Sequence, residues 1–112
     1  MGIFNLVIKM KIIEYKEGME PEGIRILYFK SHDCGVCEGM LLKTEEVLKD
    51  YDIDIYTVQI EDNPKMRGRY LVFTGPTILL IKDDKIIAKE SGFVELSNIV
   101  KALDMLNIPK IK

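Results

Sequence analysis

The sequence predicts an α/β domain: a mixed β-sheet of four to five strands with helices on both faces. Three observations predict it. Residues 24–29, IRILYF, are an unbroken apolar run of the kind that makes a strand buried on both faces. Apolar residues at three- and four-residue spacing follow that run and recur near the C-terminus, which marks amphipathic helices. Between them, two apolar runs flank a short polar turn, which predicts a hairpin.

The elements follow in order. Residues 1–20 are expected to add one strand, NLVIKMKIIEY, at a sheet edge, because the KEGMEPEG that follows is too short for a full crossover helix. After the 24–29 strand, Met40, Leu41, Thr44, Val47, Leu48 and Tyr51 mark a helix face, and DIDIYTVQI (52–60) is the next strand. In DNP (62–64), Asp62 or Asn63 can cap a helix and Pro64 suits its first turn, with Gly68 keeping that helix short. Runs 77–82 and 86–90 form the hairpin around Asp83 and Asp84, and Gly92 ends it. Leu96, Ile99, Val100, Leu103 and Leu106 mark a last helix that stops before Pro109. From residue 24 the order is β-α-β-α-β-β-α. A helical connection makes the first two strands parallel, and a tight turn makes the last two antiparallel.

At 112 residues the chain has the size of a single domain, and 47% apolar content with a net charge of −2 supports a packed core. Basic residues are scattered, so nucleic acid and anionic membranes are not expected partners. No apolar run approaches the roughly 20 residues of a membrane span. The start MGIFNLVIKMKII lacks the basic flank and small-residue cleavage site of a signal peptide, so a cytoplasmic location is expected. In that reducing compartment a pair of cysteines is rarely a structural crosslink.

Both cysteines lie in SHDCGVCEGM (31–40), with the only histidine, His32, two residues ahead of Cys34. Cys34 falls where a strand ends and a helix begins. Unpaired N–H groups and the helix dipole stabilise a thiolate there, lowering its pKa from about 8.5 to roughly 3.5–7.5. Cys37 lies one turn further, close enough to close a small disulfide. The spacing suits an exposed nucleophile at Cys34 and a shielded resolving thiol at Cys37. Two other readings stand beside this one. His32, Cys34 and Cys37 could be three ligands of a metal or iron–sulfur carrier, although a closed site needs a fourth and no further Cys or His exists. Alternatively, the fold serves as a non-catalytic interaction module.

The strand IRILYF, the Cys34-Gly35-Val36-Cys37 helix start, IEDNP, Gly75-Pro76-Thr77 before a hairpin, Gly92 and a terminal helix together resemble the thioredoxin-like family, over residues 24–106. The resemblance implies a thioredoxin-like fold over a single domain (1–112), with 1–20 as an N-terminal extension. It implies a thiol–disulfide oxidoreductase, most simply a protein-disulfide reductase. Cys34 and Cys37 would be its redox pair, Gly35 and Val36 its active-site loop, and Gly75, Pro76 and Thr77 its substrate groove. The Gly75–Pro76 bond would be cis, with the Gly75 backbone pairing with the substrate chain. No cofactor beyond the Cys34–Cys37 disulfide is implied. Substrates would be protein or small-molecule disulfides, and electrons would come from a thioredoxin-reductase-type donor.

The sequence departs from the family pattern near the pair. Asp33 stands where Trp is usual, Val36 where Pro is common, and Tyr28 near the position of a buried acid that helps the resolving cysteine lose its proton. The helix proline is replaced in the region of Leu42. Asp33 and Glu38 put negative charge beside the pair and oppose a thiolate, whereas a protonated His32 favours one.

Overall fold

In the computed structural model, residues 10–110 are described. Five strands form one sheet in the order β1-β3-β2-β4-β5: β1 (Ile12–Glu14), β2 (Ile24–Lys30), β3 (Ile55–Gln59), β4 (Thr77–Lys82) and β5 (Lys85–Ser91). Three helices, α1 (Gly35–Leu48), α2 (Pro64–Tyr70) and α3 (Leu96–Met105), cover it, and a 3₁₀ turn (Ile60–Asp62) links β3 to α2. From Ile24 onward the element order is the one the periodicities predict.

The apolar run of β2 takes the centre of the sheet, parallel to β3 and antiparallel to β4. Its side chains alternate between two cores. Ile26 and Tyr28 join Leu48, Ile55, Ile78, Leu80, Ile99 and Leu103 under α1 and α3. Leu27 and Phe29 join Val58, Met66, Tyr70, Val72, Leu79 and Ile81 under α2. A strand buried on both faces has no polar face to show, which is why its sequence does not alternate.

β1 is an edge strand parallel to β3, so the chain crosses over β3 to enter β2. That crossing contains no helix, in keeping with its length. Residues 5–9 of the expected N-terminal strand lie outside the described residues. β5, the other edge, is mostly exposed and carries Lys85 and Lys89, charges of the kind that discourage edge-to-edge pairing.

Several local expectations are corrected. Tyr51 is not on the α1 face. The helix ends at Leu48, and Tyr51 bridges to Lys110 while its hydroxyl donates to Asp104 at 3.0 Å, joining the end of α1 to α3. Val47 is exposed because it lies about 100° around the helix from the buried Leu48. The strand expected over 52–60 is shorter, since Ile60 already belongs to the 3₁₀ turn. Neither Asp62 nor Asn63 caps α2 with its side chain. Asn63 holds the N-cap position, but its amide donates back to the Gln59 carbonyl at 2.8 Å. α2 is short, as expected, with Gly68 inside it, and it ends where Leu71 adopts a left-handed conformation (φ 55°).

Candidate active site

β2 delivers the chain to one end of the sheet, where Asp33 turns it with a left-handed φ of 53°, a conformation that Asp tolerates better than most residues. Cys34 then caps α1. Its Sγ accepts the Cys37 backbone N–H at 3.1 Å, so the sulfur receives one of the N–H groups that the first turn leaves unpaired. Cys34 and Cys37 form a disulfide with Cα atoms 5.2 Å apart. The two sulfurs are not equivalent: Cys37 has no exposed surface, whereas Cys34 is partly exposed.

The 75–77 segment closes over Cys37. The Gly75–Pro76 bond is cis. A side chain at Gly75 would bring its Cβ to 3.0 Å from the Cys37 Sγ and 3.1 Å from the Ser31 nitrogen, so this contact requires glycine. Pro76 and Thr77 are buried, and Gly75 is half-buried. The Thr77 hydroxyl donates to the Thr74 carbonyl at 2.6 Å and pairs with Ser91 at 2.8 Å, which ties the start of β4 to the end of β5. Gly35 and Val36 are exposed between the cysteines, with Val36 presenting an apolar side chain to solvent.

Tyr28 lies beneath the pair, fully buried, and donates its hydroxyl to the Cys37 carbonyl at 2.6 Å. Burial, and secondly the charge of Glu38, push this phenol well above its ordinary value, so it is a neutral donor and not a proton acceptor. On the other side, the Glu61 carboxylate accepts the His32 backbone N–H at 3.1 Å, a strap that holds the loop before Cys34 to the 3₁₀ turn after β3. The Gln59 amide, the Glu61 backbone N–H and the His32 N–H hold the Glu61 carboxyl below its usual range.

The ligand set considered for a metal is not assembled. Among the described residues no three His, Cys, Asp or Glu side chains gather to hold an ion. The His32 ring lies 3.9 Å from Glu61 and 3.8 Å from Asp62, and the two cysteines are bonded to each other. Among the described residues no helix is long and apolar enough to cross a membrane.

The sequence pattern did not single out Phe73 and Phe93, both highly exposed beside this segment. The Gly92 N–H donates to the Pro76 carbonyl at 3.1 Å and so sets Phe93 at the rim. Their signal was present: aromatic residues placed in connections and not on the apolar face of any element.

This fold, with a CxxC pair at the end of its central strand, defines a thiol–disulfide oxidoreductase. A family model described as Thioredoxin matches residues 7–105, and the chain belongs to the thioredoxin family. The thioredoxin of Staphylococcus epidermidis RP62A is 28% identical over 100 residues, covering 88% of this chain and 95% of its own. Among solved structures, thioredoxin 1 of Thermosipho africanus TCF52B is 30% identical with a TM-score of 0.66, covering 74% of this chain and 93% of its own. The short form of spinach chloroplast thioredoxin f, 16% identical, shares the fold with a TM-score of 0.73 over 94% of this chain and 99% of its own. Thioredoxins act through their own redox-active cysteines, which makes the Cys34–Cys37 pair the active centre of a protein-disulfide reductase that needs no cofactor.

Proposed function

We propose that Cys34 is the nucleophile and Cys37 the resolving thiol of this reductase. The observation that carries the assignment is the asymmetry of the pair: Cys34 is partly exposed at a helix N-terminus with an N–H directed at its sulfur, and Cys37 is sealed beneath Gly75. In the reduced protein the Cys34 thiolate attacks one sulfur of a substrate disulfide. A Cys34–substrate disulfide forms, and the other substrate sulfur leaves as a thiolate and takes a proton. The Cys37 thiolate then attacks the Cys34 sulfur, regenerating the intramolecular disulfide and releasing the second substrate thiol. The substrate gains two electrons and the protein loses two.

Gly35 and Val36 form the loop a substrate meets first. Gly75 offers backbone groups to the substrate chain, while buried Pro76 and Thr77 fix the backbone on which Gly75 sits. The partners are disulfide-bearing proteins and an electron donor of the thioredoxin reductase type, in the cytoplasm. One solved neighbour of the same fold, 17% identical, is a thioredoxin f2 in complex with ferredoxin:thioredoxin reductase.

The test is intact mass after incubation with a model disulfide. Cys37→Ser should accumulate a mixed disulfide on Cys34 that a reductant reverses, and Cys34→Ser should form none and lose reductase activity. An adduct that accumulates on Cys37 in the Cys34→Ser protein, with none on Cys34 in its counterpart, would reverse the roles.

A further inference from the structure

The strand register brings two unlike rims to the same end of the sheet. Lys30 pairs with Gln59, Phe29 with Thr77, and Thr77 with Ser91, so the ends of β3, β2 and β5 and the start of β4 lie side by side. Glu61 and Asp62 follow β3, and the cysteines follow β2. Phe73, Gly75 and Pro76 precede β4, and Phe93 follows β5. Sheet order therefore places carboxylates on the β3 side of the disulfide and phenylalanines on the β4–β5 side.

Two more carboxylates flank the pair itself: Asp33, next to Cys34, and Glu38, whose N–H donates to the Cys34 carbonyl at 3.3 Å. Against these four carboxylates stand Lys30, already paired with Glu38 at 3.4 Å, His32, and the exposed Lys65 in the first turn of α2. On the other side, Lys89 of β5 is engaged with the Leu71 carbonyl at 3.2 Å, while Phe73 is 72% and Phe93 98% exposed. Each of two neighbouring loops thus presents a phenylalanine that the described residues leave open to solvent.

We propose that the substrates of this pair are protein disulfides set between basic residues on one flank and an apolar residue on the other. This rests on the oxidoreductase reading above and narrows it. Cations are drawn to the β3 side, an apolar side chain is covered by Phe93 and Phe73, and small anionic disulfides are disfavoured. Steering of this kind changes association rates by roughly 10–1,000-fold and fades with salt.

Three small disulfides of similar length separate charge from chemistry: cystamine (a dication), 2-hydroxyethyl disulfide (neutral) and 3,3′-dithiodipropionate (a dianion). Single-turnover rates of the reduced protein are measured at about 10 mM and about 0.5 M ionic strength. The attacking thiolate is itself negative, so each rate is compared with that of the Asp33→Asn/Glu38→Gln/Asp62→Asn protein. The expected cation-to-anion rate ratio in the wild type is at least about tenfold above that of the triple variant at low salt, and the gap closes at high salt. Equal ratios in the two proteins overturn the electrostatic half. For the apolar half, two disulfide peptides with the same lysine flank, one carrying Leu and one Ser on the other side, are compared. The wild type should prefer the Leu peptide about fivefold in KM, and Phe93→Ser should abolish the preference. A preference that persists in Phe93→Ser overturns that half. Failure to reduce any of these disulfides would instead remove the oxidoreductase reading, and this proposal with it.

Discussion

The hydroxyl of Tyr28 donates to the carbonyl oxygen of Cys37 at 2.6 Å, and neither residue has exposed surface. The central strand is thus bonded to the first turn of α1 at Cys37. A phenol held neutral by burial can support that carbonyl but cannot take the Cys37 proton.

Tyr28→Phe keeps the ring and removes the donor. The Cys37 carbonyl loses a buried partner, so the variant should be less stable by about 1–2 kcal/mol in denaturant titration. Turnover should keep the wild-type dependence on pH. A pH–rate profile displaced in this variant would give Tyr28 a part in proton transfer.

The same phenol makes an alkaline prediction. Its folded pKa is raised, so the folded state binds its proton more tightly than the unfolded chain does. The associated stability is complete below about pH 10 and is lost as pH rises above that. Tyr51 is shifted upward too, by burial and then by its bond to Asp104. Tyr28→Phe should therefore lose stability less steeply at high pH than the wild type, without becoming flat. Parallel melting curves of the two proteins at alkaline pH would contradict this.

Gly75→Ala tests the closure over the pair. The added methyl meets the Cys37 sulfur at 3.0 Å, the Ser31 nitrogen at 3.1 Å and the Lys30 Cα at 3.2 Å, and none of these is the free end of a flexible side chain. A destabilisation of about 1–3 kcal/mol is expected from such overpacking. Disulfide exchange should slow as well, because the atom displaced is the buried sulfur of the redox pair. Wild-type stability and rate together would show that the segment yields without cost.

What the sequence disclosed and what it withheld follow a physical line. β2, the hairpin, α3 and the Cys34–Cys37 pair were legible because each rests on local periodicity or fixed spacing. The spacing of Tyr51 fits a helix face, while its position is set by Asp104, far along the chain. Asp62 and Asn63 are both residue types that commonly cap a helix, but the Gln59 carbonyl takes the Asn63 amide. The strap from Glu61 to His32 joins residues 29 apart, and no pattern in one sequence encodes such a pairing. Tyr28 was recognised as a replacement for a carboxylate, but its bond to Cys37 depends on the packing of α1 against β2.

Glu61→Gln removes the charge of that strap. The Glu61 carboxyl is held below its usual range, first by the Gln59 amide, so the stability it contributes is present above the unfolded value of about 4.3 and is lost as pH falls further, through the folded value. Melting temperatures between about pH 6 and pH 3 should fall more steeply for the wild type than for Glu61→Gln. The group is exposed, so the difference should be small. An identical acid limb in both proteins would mean that the strap is as strong without its charge.

The reduction potential follows from opposed influences on Cys34. The Cys37 N–H at 3.1 Å and the N-terminus of α1 stabilise a thiolate, which favours the reduced protein and makes the pair more oxidising. Asp33 and Glu38 beside it act in the other direction. We expect a potential of about −200 to −260 mV, between glutaredoxins and thioredoxin, from equilibration with glutathione. Asp33→Asn/Glu38→Gln should raise it by about 10–20 mV, because removing the carboxylates stabilises the thiolate and hence the reduced state. The same variant should ionise Cys34 at lower pH, seen as thiolate absorbance in the far ultraviolet. A potential that moves downward would reverse the sign assigned to these carboxylates. A wild-type value above about −150 mV would describe a pair built to oxidise its partners and not to reduce them.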